Sequence, residues 1–119
     1  MSYDVVDVGT LEGEGPGGIV RKVRRAVNGR AFGFNYFVFP PGVEGREHDH
    51  DEARQEEVYF VVAGGGVMRI DGEDVELRPG RVVRVDPEST RVPVSGSDGL
   101  EYFVVGAPHG IPYEPPPWG

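Results

Sequence analysis

The chain has no cysteine and only one tryptophan among its 119 residues, and Lys22 is its sole lysine. Without cysteine, disulfides and thiol chemistry are excluded. The formal net charge is −8 and no long basic cluster is present, which argues against nucleic acid and anionic membrane as partners. No stretch is apolar for long enough to form a membrane-spanning helix. The start, Met-Ser-Tyr-Asp, has no basic region leading into an apolar core, so a cytoplasmic location is expected. No convincing helical stripe occurs either. The best candidate, 19–27, places Ile19, Val23 and Val27 four apart, but its β-branched content and flanking glycines favour a strand. The basic run Arg21-Lys22-Val23-Arg24-Arg25 within it, close to Glu12 and Glu14, then reads as a solvated strand face.

What the chain does have is punctuation. Nineteen glycines and eleven prolines separate short segments rich in Val, Phe, Tyr and Ile, the pattern of an all-β sandwich or barrel in a single domain. Expected strands cover 5–8, 19–27, 31–39, 46–50, 57–63, 67–70, 74–77, 82–86, 91–94 and 100–105. Asp71-Gly72 fits a two-residue hairpin turn. Turns are also expected at Gly64-Gly65-Gly66, Pro79-Gly80 and Pro87. The segments 11–18 and 112–119 read as loops, and Pro115-Pro116-Pro117 must be extended.

Two strands are apolar on both faces. In 57–63, Tyr59 and Val61 share a face with Glu57, while Val58, Phe60 and Val62 occupy the other. A half-solvated antiparallel strand would alternate. A cover for the outer face is therefore expected. A second subunit, giving a homodimer, is favoured over the chain's own Tyr113 and Trp118.

The stretch 42–64 carries the chemistry. His48 and His50 are two apart, so on a strand both imidazoles project to one side, with Glu57 following a short acidic loop. Two neutral imidazoles and a carboxylate form a ligand set for a divalent transition metal. Seven acidic residues (Glu44, Glu47, Asp49, Asp51, Glu52, Glu56, Glu57) against Arg46 and Arg54 favour a cation there.

Gly42, His48, His50, Glu57 and Gly64 resemble the first motif of the cupin superfamily, with a longer spacer between His50 and Glu57 than is usual in that family. The resemblance implies a double-stranded β-helix, or jelly-roll, barrel of two antiparallel sheets with the metal inside. It divides 1–119 into N-terminal strands at 4–27, a core barrel at about 31–106 and a tail from 107. Pro79-Gly80 and 82–87 follow the second motif, but Arg91 stands where that motif has its fourth ligand, a His. Arginine stays protonated and has no lone pair for a metal.

Three readings follow. His48, His50 and Glu57 bind Fe, Mn, Ni or Zn, with Arg91 holding the carboxylate or phosphate of a small anionic ligand. Alternatively, Arg91 pairs with Glu57 in place of a metal, and the barrel binds or senses a sugar or other metabolite. In the third, nothing binds and the triad is a relic. Turnover as a metal-dependent dioxygenase, isomerase or epimerase would be a variant of the first reading. Tyr59, on the Glu57 parity, and Tyr36 are candidate cavity-lining residues, with ordinary core packing as the alternative. His109, in a loop after the last strand, is expected to be solvent-exposed. Asp86 and Glu88 are close enough in sequence to pair with Arg91 at the surface.

Overall fold

The computed structural model describes residues 2–119. Six strands form it: β1 (Val20–Arg21), β2 (Gly33–Phe39), β3 (Gln55–Ile70), β4 (Glu73–Leu77), β5 (Val82–Val85) and β6 (Arg91–Pro108). A single helical turn, α1 (Val23–Ala26), separates β1 from β2. All pairings are antiparallel, in the order β1-β2-β6-β3-β4, with β5 joining the free side of β3. This is the expected all-β jelly roll.

The architecture comes from two long strands that bend together. Residues 55–61 of β3 lie between β5 and residues 102–108 of β6. Residues 66–70 lie between β4 and residues 91–95 of β6. The register shifts where the halves meet, between Val61 and Ala63 and between Gly64 and Gly66. The two half-sheets close on a core of Phe39, Tyr59, Val61, Met68, Leu77, Val85, Leu100, Tyr102 and Val104. The glycine triplet 64–66, expected as a turn, is thus a bulged bend inside one continuous strand. The expected pairs of strands 57–63 with 67–70, and 91–94 with 100–105, each form one element. Glycine is required at the bend because the strands touch there. A Cβ on Gly64, at φ 72°, would stand 2.2 Å from the Gly99 carbonyl oxygen, and one on Gly66 would stand 2.0 Å from that of Val94.

Turn chemistry elsewhere is as the sequence suggests. Asp71 and Gly72 take φ 49° and 85°, the geometry of a hairpin turn with both central residues left-handed. Pro79-Gly80 and Pro87 also lie in turns.

Three N-terminal expectations are corrected. Val5–Asp7 pairs with no strand, and Val8–Thr10 is a turn of 3-10 helix. The Thr10 amide and hydroxyl both donate to the Asp7 carbonyl, at 2.9 and 2.7 Å, which curls the chain away from extended geometry. Only two residues of 19–27 are strand; the rest turns so that Val23 is buried. The basic run is not a solvated strand face, because its cations bind carbonyls. Arg21 donates to Gly18, Arg24 to Gly29 and Gly119, and Lys22 to Trp118, while Arg25 pairs with Glu14. The segment 46–50 also forms no regular strand; its one β-bridge joins His48 to Arg91, and the His50 amide bonds the Pro87 carbonyl.

The outer face of the sheet is only partly covered. Phe60, Val62 and Val82 are 47, 44 and 54 % exposed, and Trp118, a candidate lid, is itself 72 % exposed. Tyr113 packs instead against Gly33, at the start of β2. Among the described residues no helix is long and apolar enough to cross a membrane.

The bend yields a test. Gly64→Ala should cost at least about 2 kcal/mol in urea unfolding, since backbone must move to admit a methyl. Gly72→Ala, also at positive φ but with nothing within 4 Å of the added Cβ, should cost only about 1 kcal/mol. Equal losses would show that φ alone, and not strand contact at the bend, requires glycine.

Candidate functional site

Glu57 sits on the inner parity of β3 with Tyr59 and Val61 and is 8 % exposed. A carboxylate buried this deeply needs partners, and they converge on one oxygen. The Tyr59 hydroxyl donates to Oε1 at 2.7 Å. His50 Nε2 stands 3.2 Å from the same oxygen, Arg91 Nη2 3.7 Å and His48 Nε2 4.0 Å.

The histidine arm is placed by backbone. His48 exchanges both amide hydrogen bonds with Arg91, at 2.8 and 3.1 Å, and the His50 amide donates to the Pro87 carbonyl at 2.8 Å. Upstream, the buried Ser95 hydroxyl accepts from the Val43 amide at 2.8 Å and donates to the Pro40 carbonyl at 2.6 Å. Two-residue spacing then sends both imidazoles inward even without a regular strand. Their planes cross at 85°, with centroids 5.1 Å apart.

His48 Nδ1 lies 2.9 Å from the Arg46 carbonyl oxygen. A carbonyl only accepts, so Nδ1 carries the hydrogen and Nε2 keeps its lone pair toward Glu57. Burial, above all, lowers the His48 pKa and keeps that ring neutral. For Glu57, burial alone would raise the carboxyl pKa. The His50 hydrogen bond and charge, the Tyr59 hydroxyl and the Arg91 guanidinium together outweigh burial and hold it below the usual value. Burial, and next the charge of Glu57, pushes the Tyr59 hydroxyl well above its ordinary range, so it is a fixed donor at any physiological pH.

The sequence-derived triad is therefore brought together: ligand atoms of His48, His50 and Glu57 all lie within 4.8 Å of one another. Donors on a common ion at metal–ligand distances of about 2.1 Å stand roughly 3.0–3.5 Å apart. Small side-chain adjustments reach that from the distances here, so the residues fit a divalent ion.

Arg91 reaches the same place from β6 and is fully buried. Its Nη1 donates to the Ser89 carbonyl at 2.8 Å and its Nη2 to that of Asp86 at 3.3 Å, while Nε has no partner. The surface pairing with Asp86 and Glu88 is not what forms. Only the Asp86 backbone serves Arg91, since the Asp86 carboxylate binds Arg84 at 2.6 Å.

Tyr59 lines the site, but Tyr36 does not. The register pairs Tyr36 with Phe103 and Phe37 with Tyr102, so Tyr36 has the outer parity. Its hydroxyl donates to Glu101 at 2.8 Å, beside a groove of about 440 Å³ that Val8, Leu11 and Arg21 also line. Two-faced apolarity in β2 left no alternation from which to read its parity. His109 is half-exposed, with Nε2 3.8 Å from Glu56. One inner residue was missed. Tyr102 packs edge-to-face on Tyr59 at 5.3 Å, and burial followed by the Glu57 charge raises its hydroxyl pKa. Its cross-strand position opposite Val61 depends on a register that the sequence does not display.

Comparison with known proteins agrees with this architecture. A curated relative, the oxalate-binding protein of Thermotoga maritima, is 30% identical over 83 residues, which cover 69% of this chain and 67% of that protein. A cupin protein from Bacteroides fragilis superposes with a TM-score of 0.77 at 20% identity, covering 98% of this chain and 92% of that one. The crystal structure of a predicted oxalate decarboxylase from Thermotoga maritima gives 0.70 at 22% identity, over 86% and 96% of the two chains. The cupin-domain family pattern matches residues 35–106, more than half of the sequence, and the chain belongs to the cupin family.

Proposed function

We propose that this cupin binds a divalent transition metal through His48, His50 and Glu57 and uses it to hold a small anionic metabolite. The observation that carries the reading is the convergence of two imidazole nitrogens and a carboxylate oxygen within 4.8 Å. Two His and one carboxylate leave coordination positions open, as Fe, Mn, Ni and Zn sites require for a ligand. A bound ion would act as a Lewis acid toward that ligand. The chain's own residues orient the set: Arg46 fixes the His48 tautomer, and Tyr59 and Arg91 fix the carboxylate. The names of relatives at this identity make a small dicarboxylate such as oxalate the first ligand to try. Turnover would need a general base, and Glu57 is already used as a ligand.

A second reading has its own observation. The Arg91–Glu57 pair at 3.7 Å neutralises the buried carboxylate without any ion. A metal-free metabolite-binding barrel is the result.

We also propose a second copy of the chain as the cover for the outer face. Phe60 pairs laterally with Val82 on one side and Phe103 on the other, which makes the exposed apolar surface continuous across β5, β3 and β6.

Elemental mass spectrometry on untagged protein exchanged into buffer containing oxalate should find about one metal per chain, lost in His50→Ala. Substoichiometric metal in both proteins would favour the metal-free barrel. Affinity should fall between neutrality and mild acid, because a protonated imidazole cannot coordinate, and burial, which lowers the His48 pKa, moves that ring's loss to lower pH. Affinity indifferent to pH across that range would mean other ligands. For the dimer, light scattering should give twice the chain mass, falling to one chain mass in Phe60→Asp; a monomeric parent would remove this proposal.

A further inference from the structure

Arg91 makes the site differ in charge from any built of neutral and anionic ligands alone. Its guanidinium is fully buried, anchored on the Ser89 and Asp86 carbonyls, and 3.7 Å from the one carboxylate available to a metal. The one buried carboxylate of the metal-free site, Glu57, is therefore already matched by the positive charge of Arg91. A dication added to this set stands uncompensated in a barrel interior, beside a cation that cannot withdraw.

We propose that Arg91 couples the two ligands of this cupin, so that the metal binds tightly only together with a small dianion, whose two charges restore neutrality. The proposal rests on the metal-binding reading above. Arg91 is sealed from solvent, so its influence acts through its field on the ion and does not require contact with the anion. Dianions are then favoured over monoanions of similar size. Linkage is reciprocal: whatever factor the anion adds to metal affinity, the metal adds to anion affinity.

The test is calorimetric titration of Mn(II) into the purified full chain with oxalate, with acetate or with neither, at equal ionic strength and with free ion buffered to discount chelation in bulk. Oxalate should tighten metal binding at least about tenfold, and acetate much less. Arg91→Gln should bind the metal alone at least about tenfold more tightly than the parent, and the oxalate enhancement should shrink to roughly threefold or less. Arg91→Lys, which keeps the charge, should retain the parent's coupling. Equal oxalate enhancement in the parent and in folded Arg91→Gln would overturn the proposal, as would unchanged or weaker binding of metal alone in that variant. Circular dichroism reports whether Arg91→Gln folds. If it does not, the parent decides, and oxalate enhancement no greater than that of acetate refutes the coupling. Tight, anion-independent metal binding removes the coupling alone, whereas no metal binding under any condition removes the metal-binding reading as well.

Discussion

A single carboxylate oxygen, Glu57 Oε1, sets the terms for the interior of this barrel. Taking a carboxylate out of water is costly unless donors replace the lost solvent. Tyr59, His50 and Arg91 replace it, from β3 itself, from the arm before it and from β6. Three separated parts of the chain are thereby tied to one atom. The same atoms that satisfy the charge form the candidate site, so stability and ligand chemistry are coupled there: a metal can gain Glu57 only in competition with a guanidinium already paired to it.

The geometry around that oxygen depends on the bend in β3 and β6. A flat pair of strands of this length would be an open ribbon with one face always wet. Bulges at 61–66, made possible where Gly64 and Gly66 let backbones touch, fold the ribbon so that its halves face each other. Glu57 then lies inside a closed space, with the Arg91 end of β6 across from it. The histidine arm needs no strand regularity, because paired amides with Arg91 and Pro87 fix its position.

The outer surface follows different physics. Its inner counterpart is filled by the core, while Phe60, Val62 and Val82 remain about half exposed. This half-exposed apolar surface is the outer parity of strands that do not alternate in sequence. It also explains why the sequence cannot place Tyr36: where both faces are apolar, parity carries no label.

The sequence by itself determined the local facts. Glycine and proline spacing determined β-structure, Asp71-Gly72 a hairpin, and the His-x-His spacing two imidazoles on one side of the chain, because two-residue periodicity and turn stereochemistry are properties of neighbouring residues. Tertiary structure alone decided the rest. It turned a glycine triplet from a loop into a bend, put Tyr36 outside and Tyr102 inside, and gave the basic run carbonyls to bind. It also buried Arg91 beside Glu57, 34 positions away in sequence. These outcomes depend on register and on which distant backbone arrives alongside, and no local pattern of residues encodes the pairing of strands far apart in the chain.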